Sequence, residues 1–503
     1  MKKIINPQMG LFATGVLQPA SAQEVRGFLG TIFKDAGELP PDQDFRSFLE
    51  GQLLLRRVIK VSPGENDLYS LTLSGNHYLS PALRKSRDKY RMYLLRDAHR
   101  ARIVMSRGEA DAGLAGASPA ADTSTGVKGS AANKVGLTAF GRRFAHGQPY
   151  WPRISWQFVD KTGLTRPPRD NFPLLLSFNS TDQFAEAAQL TPANAVFDYV
   201  GLGLCLGVSP QLIWQIARNP NRHYRTFMLP KKGGGERRIE SPRVFLKVVQ
   251  WFLSDFVLDD LVAHESVHSF AIGRSIVSNA QQHVGRAFVG SVDIEDFFGS
   301  ITAEATVRHF QNHGFRSSEA NLLSSLCTKE NRLPQGAPTS PVISNSILYG
   351  LDARMSQICD ELSLRYTRYA DDITISGESR PGIADAMERV EVLLRGEYAL
   401  RLNRDKTRIA SKGGQQRVTG VVVNVEAAPP RAFRRRVRAG FHNASVDRED
   451  SVARIRELDG YVGYLKSFPK LAAAREVVQY ERVLRALRSL KLLKNKRRPR
   501  PRT

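Results

Sequence analysis

The chain has 503 residues, with 73 Lys and Arg against 49 Asp and Glu, a net charge of +24 and a pI of about 10.1. That excess points to a polyanionic partner bound less tightly as salt rises. No apolar run is long enough to span a bilayer, no charged-then-apolar signal pattern opens the chain, and Cys205, Cys327 and Cys359 lie far apart without metal-ligand spacing, so a soluble protein of a reducing cytoplasm with no disulfide framework is expected.

In chain order, Val25 to Phe33 and Phe45 to Val58 carry apolar residues at helical spacing. Val58 to Val61 and Leu68 to Leu73 read as short strands around the Ser62-Pro63-Gly64-Glu65-Asn66-Asp67 turn. That order is similar to a winged helix. A long basic helix follows, carrying Arg84, Lys85, Arg87, Lys89, Arg91, Arg96, Arg100 and Arg102, either as a docking face or as a solvated one. Residues 1–105 therefore form a small helical domain. Residues 106–135 turn to Gly, Ala, Ser and Thr and read as a flexible linker. The connecting segment 136–190 is rich in aromatics, Pro and Arg, including Tyr150-Trp151-Pro152 and Trp156, suited to stacking on bases or to ordinary packing.

Phe227 to Ile239 places Lys231, Lys232, Arg237 and Arg238 around a glycine hinge. Glycines let a backbone fold against phosphate while Lys and Arg supply charge and bidentate donors; the bland alternative is a solvated basic turn. Asn279 and His283 lie four apart, as polar residues of one helix face would. In the run Phe288 to Phe298 a predicted buried strand ends with a carboxylate, Asp293, and Phe298 lies five residues on. Leu333-Pro334-Gln335-Gly336-Ala337-Pro338-Thr339-Ser340-Pro341 is a Pro/Gly-rich turn leading into an apolar helical stretch from Val342 to Met355.

Leu364 to Tyr369 alternates, and Ile373 and Ile375 resume the alternation beyond Asp371 and Asp372, so a β-hairpin with both acids at its tip is expected. Two carboxylates about 4 Å apart repel by roughly 4 kcal/mol at an effective dielectric near 20. A cation relieves this. Two Mg²⁺ ions, which take hard oxygen ligands and substrate phosphates, would clamp the attacking and leaving oxygens of a phosphoryl displacement. Asp293 is the expected third acid. Farther on come an amphipathic helix between Ile383 and Leu400, Lys406, and a β-branched strand Val418 to Asn424 in which Gly420 would admit a close backbone.

The strand with Asp293, the Leu333–Pro341 turn and Tyr369-Ala370-Asp371-Asp372, in this order, resemble reverse transcriptases. Asn279-Ala280-Gln281-Gln282-His283 and Val418-Thr419-Gly420 resemble the signatures of bacterial retron reverse transcriptases. The resemblance implies an α+β right-hand polymerase with fingers and palm over 191–430, a thumb over 431–490, and Asp293, Asp371 and Asp372 as ligands of two Mg²⁺. It implies that Lys231, Lys232, Arg237, Arg238, Gln335, Gly336 and Lys406 serve the nucleotide and template, and that Phe298 gates the sugar. Asn279, His283, Val418, Thr419 and Gly420 would serve the RNA. It further implies dNTP substrates, a structured noncoding RNA as template and primer, branched RNA–DNA (msDNA) as product, and antiphage defence with an effector partner.

Five arginines cluster between Arg431 and Arg438, among them Arg434, Arg435 and Arg436, as a thumb contacting the template–primer backbone would need. The Pro-broken basic tail 491–503 is expected to be disordered without RNA. An intron-type or abortive-infection reverse transcriptase is the rival enzyme, and a non-catalytic nucleic-acid-binding regulator the rival from another class.

Overall fold

The computed structural model describes residues 6–18, 20–32, 42–62, 67–96, 150–152, 175–177, 198–231, 234–258 and 261–497. The expected linker 106–135, Lys232, Trp156 and most of the connecting segment 136–190 lie outside these residues. Two compact units emerge, one of Met1–Asp260 with Ile301–Ile343, the other of Leu261–Ser300 with Ser344–Thr503.

The first unit opens with α1 (Pro7–Leu17), α2 (Ala22–Ile32), α3 (Asp42–Leu54), the antiparallel pair β1 (Val58–Ser62) and β2 (Leu68–Leu71), α4 (Leu73–Tyr78) and α5 (81–96). The expected helix, helix, strand, strand order is present. α1 was not expected, because Gly10 to Leu17 are all buried and leave no polar stripe to set a period.

Helix α5 departs from the reading of a wholly exposed basic face, since Arg87 and Arg91 are buried. The Arg91 guanidinium donates to the carbonyls of Val16 (3.2 Å), Gln18 (2.6 Å) and Leu206 (2.9 Å). Asp88 pairs with Arg87 at 2.8 Å and accepts from the Ser209 amide at 2.9 Å. Buried charges persist only when so satisfied, and the effect is to fasten α5 to residues 206–209 across the sequence gap.

The unit continues through β3 (Tyr150–Pro152) paired with β4 (Leu175–Ser177), α6 (Tyr199–Leu206), α7 (Pro210–Arg218), β5 (Tyr224–Pro230), β6 (Glu236–Pro242) and α8 (Val244–Phe252). β5 and β6 form a regular hairpin from Tyr224↔Pro242 to Pro230↔Glu236, with Phe227, Met228 and Leu229 exposed. After α9 (Ile276–Gln281) and β7 (Phe288–Ile294), which belong to the second unit, α10 (Ala303–Asn312) and α11 (Ser317–Cys327) complete the first.

Helix α12 (Ser340–Ile347) and α13 (Tyr349–Glu361) replace the single expected apolar helix, with Leu348 at φ −87°, ψ 9° interrupting it. In the second unit, β8 (Arg365–Tyr369), β9 (Asp372–Gly377), α14 (Arg380–Glu397) and β10 (Leu402–Ser411) follow. The four long strands make one antiparallel sheet in the order β10-β7-β9-β8, with α13 and α14 packed on it. Ile383, Ala386, Met387, Val390 and Leu394 of α14 recur at helical spacing and are buried.

The strand expected over Val418 to Asn424 is instead two short strands, β11 (Arg417–Val418) and β12 (Val421–Val422), paired Val418↔Val421. Thr419 (φ 47°) and Gly420 (φ 85°) form the two-residue turn between them, the positive-φ pair that hairpins favour. A Cβ on Gly420 would meet nothing within 4 Å, so its role is conformational and not the close approach expected.

Helices α15 (Arg431–Val446), α16 (Ile455–Lys466) and α17 (Arg475–Arg497) pack around Val437, Phe441, Leu458, Val462, Tyr480 and Leu484. α17 runs to Arg497, so the first residues of the expected disordered tail are helical; apart from Asn495, Lys491 to Arg497 are good helix formers, and Pro499 is the first breaker. Among the described residues no helix is long and apolar enough to cross a membrane.

Candidate active site

The two-residue turn between β8 and β9 consists of Ala370 and Asp371, and Tyr369 pairs with Asp372. Ala370 holds φ 56°, a conformation that turns the chain sharply at an energetic cost for a residue with a Cβ. One acid thus sits in the turn and the other opens β9.

Asp293 on β7 is the direct register partner of Asp372, and the Ile294 amide donates to the Asp371 carbonyl at 2.9 Å. Opposed residues in such a pair project from the same face, with Cα atoms about 4.5–5.5 Å apart. Residues 79 positions apart in sequence are therefore neighbours. Burial first, then the charges of Asp371 and Asp293, push the Asp372 carboxyl up to about 7.

β10 pairs Asn403 with Asp293 and Arg408 with Ser291, leaving a bulge between them. Bulges redirect side chains, and Lys406 within this one reaches Asp293 Oδ1 at 2.7 Å. The ammonium stands where a cation is wanted. Among the described residues no group of three or more Asp, Glu, His or Cys side chains is placed to hold a metal ion by itself. Mg²⁺ does not need such a group, because it keeps waters and substrate phosphates among its ligands. The carboxylates of Asp371 and Asp293 repel that of Asp372 while Arg408 and Lys406 offset them, a set of charges that fits that chemistry.

The support beneath the turn was missed by the sequence reading. Arg368 is fully buried, with Nη2 donating to Asp352 Oδ2 at 2.6 Å, Nε to Asp352 Oδ1 at 2.8 Å, and Nη1 to the Ala370 carbonyl at 3.1 Å. Tyr366 donates to the same Asp352 at 2.8 Å. The Ala370 amide donates to Ser269 Oγ at 2.7 Å. A charged residue in an otherwise inward-alternating strand was the available signal.

Phe298 lies in the turns after β7, half-buried, its ring 5.1 Å from that of the buried Phe297. Asn279 and His283, expected at the RNA, are fully buried. His283 bridges Ser376 Oγ and Thr367 Oγ1, each at 2.7 Å, and burial pushes its imidazole down to about 3. His283 clamps the sheet, the Asn279 side chain is buried without a hydrogen-bond partner among the described residues, and neither has surface to offer RNA. Val418 is likewise buried, in a cluster with Val277, Ala280, Val421 and Val423, so the two signature motifs pack against each other. Thr419 is half-buried and Gly420 exposed.

In the first unit, Lys231 and Arg237 are exposed at the β5–β6 hairpin, whereas Arg238 pairs with Glu240 at 3.0 Å and Glu330 at 3.1 Å. The buried Glu240 also accepts from Lys329 at 2.6 Å. Its amide donates to the Gln335 carbonyl at 2.8 Å, docking the Gln335-Gly336 turn on β6. Gly336 holds φ 128°, and a Cβ there would come within 3.1 Å of the Glu240 carbonyl oxygen. On α15, Arg434 pairs with Glu476 at 3.2 Å, while Arg435 and Arg436 are exposed.

Residues 229–426, which hold the sheet and its three acids, match the family model for reverse transcriptase (RNA-dependent DNA polymerase). The chain is 39% identical over 256 residues to the Retron Mx162 reverse transcriptase of Myxococcus xanthus, covering 44% of this chain and 52% of that one. It is 36% identical over 286 residues to the Retron Mx65 reverse transcriptase of the same organism, covering 53% and 66%. To the Retron Ec86 reverse transcriptase of Escherichia coli it is 32% identical over 247 residues, covering 48% and 76%. The chain thus spans 52% and 66% of the lengths of the two Myxococcus relatives. It belongs to the retron reverse transcriptases.

Proposed function

We propose that this chain is an RNA-directed DNA polymerase that copies a structured noncoding RNA into DNA, leaving branched RNA–DNA (msDNA), in antiphage defence. The observation that carries the reading is the Asp293↔Asp372 register pair with Asp371 in the adjoining turn.

In this reading the four-stranded sheet is the palm, the unit with the β5–β6 hairpin supplies the fingers, and α15, α16 and α17 are the thumb. Asp293, Asp371 and Asp372 hold two Mg²⁺ ions. When bound, the ions lower the charge repulsion between a primer hydroxyl and the triphosphate and stabilise the pyrophosphate leaving group. Lys406 holds Asp293 in place and lies close enough to meet a phosphate as well.

Lys231 and Arg237 meet the dNTP triphosphate, Arg238 being committed to Glu240 and Glu330. Phe298 packs under the deoxyribose. Gln335 and Gly336 line the nucleotide and template pocket, the glycine permitting close backbone approach. Arg435 and Arg436 bind template–primer phosphates. The amino-terminal elements α2, α3, β1 and β2 form a winged-helix-like unit that meets nucleic acid or an effector protein, and the enzyme works in the cytoplasm.

The test is to purify the full chain, extract its nucleic acid and digest it with a 2′–5′ debranching activity. RNA-linked DNA that shifts on debranching is expected from the parent and absent from Asp371→Asn. Robust DNA synthesis by Asp371→Asn would overturn the assignment.

A further inference from the structure

Asn279 of α9 and His283 in the turn after it are buried; Ser278 and Gln282, each one residue earlier, point to a neighbouring face. Those two residues line a cavity of 420 Å³ at the β8 edge of the sheet, together with His268, Arg274 and Arg365. Arg365 Nη2 donates to Gln282 Oε1 at 2.5 Å, and Arg274 Nη1 to the Val267 carbonyl at 3.1 Å. Each guanidinium keeps further donors.

The protonation of His268 follows from its neighbours. Ser278 Oγ donates its single proton to the Ser275 carbonyl at 2.9 Å and accepts from the Ser275 amide at 2.8 Å. Its remaining lone pair faces His268 Nδ1 at 2.9 Å, so Nδ1 carries the hydrogen. Burial, then the nearby Arg274 and Arg365, hold the imidazole down to about 4, so it is neutral at physiological pH. Nε2 is therefore left as an acceptor in a cavity that also holds the donors of Arg274 and Arg365.

A site with an acceptor beside two guanidiniums suits a hydroxyl next to a phosphate. RNA offers that pairing at every 2′-hydroxyl, and DNA does not. Glu265 and Asp360 also line the cavity and balance the two arginines, which disfavours free phosphate and suits the amino groups of a base.

We propose that this cavity takes one ribonucleotide of the RNA partner, its 2′-hydroxyl donating to His268 Nε2 and its phosphate meeting Arg274 and Arg365. The inference rests on the reading that RNA is the partner, and it assigns the retron signature helix two faces: one clamps the sheet, the other reads the sugar. A deoxynucleotide leaves Nε2 unpaired, which lowers affinity about fivefold to a hundredfold.

Fluorescence anisotropy of the full chain would compare a labelled single-stranded oligoribonucleotide with the oligodeoxyribonucleotide of the same sequence, at raised salt to suppress backbone charge. The parent should prefer RNA at least about fivefold. His268→Phe removes the acceptor, and Ser356→Trp fills the cavity from the half-buried surface of α13 without touching the hydrogen bond. Both should lose that preference, chiefly by weaker RNA binding. A parent without preference, a folded variant that keeps it, or equal loss of RNA and DNA would overturn the proposal. Extension of an annealed primer by the parent is scored separately, so failure of the polymerase reading is distinguishable from failure of the cavity.

Discussion

Asp293 and Asp372 stand directly opposite each other on β7 and β9, and Lys406 approaches the pair from the bulge in β10. Placing like charges at one register position is destabilising in a sheet. The fold tolerates it because the strands on either side are fixed by buried Val292, Ile294, Ile373 and Ile375. The cost lies at the site and the stabilisation in the sheet around it.

That cost is measurable. Asp372 has a folded-state pKa of about 7 against an ordinary 3.8. The folded state therefore holds a proton that the unfolded state has released, so stability falls as pH rises from about 4 to about 7 and stays low above that. Metal-free Asp372→Asn should melt above the parent at pH 8 by about 2–4 °C, roughly 1 kcal/mol, and the gap should close at pH 4. Added Mg²⁺ should raise the parent melting temperature more at pH 8 than at pH 6, and that of the variant by neither amount. DNA synthesis by the variant should fall by about a thousandfold or more, as removal of a charge-stabilising group does. Calorimetric scans with and without Mg²⁺ check the first part and primer extension the second.

Phe298 follows the Asp293 strand and rests against Phe297. Truncating it to Ala removes the ring that would collide with a ribose 2′-hydroxyl. Relative kcat/KM for a ribonucleoside over a deoxynucleoside triphosphate should rise by about tenfold or more, the scale of one steric contact. Unchanged sugar discrimination in single-nucleotide incorporation would remove Phe298 from that role.

How much of this was legible beforehand depends on whether the signal was local. The β8–β9 hairpin, α14 and the strand carrying Asp293 follow from period and turn chemistry, which a short window contains. Arg91 and Arg87 looked like surface cations because their partners, Leu206, Gly207 and Val16, lie far away in sequence. His283 and Asn279 were legible as a motif but not as buried residues, since Thr367 and Ser376 reach His283 only once β8 and β9 pair. Thr419-Gly420 hid a turn because valines on both sides favour continuous strand.

Gly336 gives a backbone test of the turn docked on β6. Its φ of 128° and the 3.1 Å approach to the Glu240 carbonyl oxygen leave no room for a methyl group without moving β6. Gly336→Ala should destabilise the chain by about 1–3 kcal/mol, read from the urea midpoint. On the proposed reading, in which this turn lines the nucleotide pocket, it should also raise KM for dNTP more than it lowers kcat. A variant with parental KM would detach the turn from nucleotide binding.

Asp352 is the counter-charge for Arg368 under the catalytic turn, both side chains being fully buried. Asp352→Asn keeps the shape but leaves a buried guanidinium with no opposite charge, and should cost about 3–5 kcal/mol in urea unfolding. The Tyr366 hydroxyl, whose proton is held well above its usual range by burial and by Asp352, keeps an acceptor, so the loss falls on Arg368. Replacing the pair together, Asp352→Leu with Arg368→Met, removes both charges and should recover at least half of that stability, as apolar substitutes for buried ion pairs often do. DNA synthesis should not recover with it, because the Ala370 carbonyl loses the Arg368 hydrogen bond that fixes the turn beside Asp371. Recovery of stability and activity together would mean that the pair supports the fold and has no part in holding the acids.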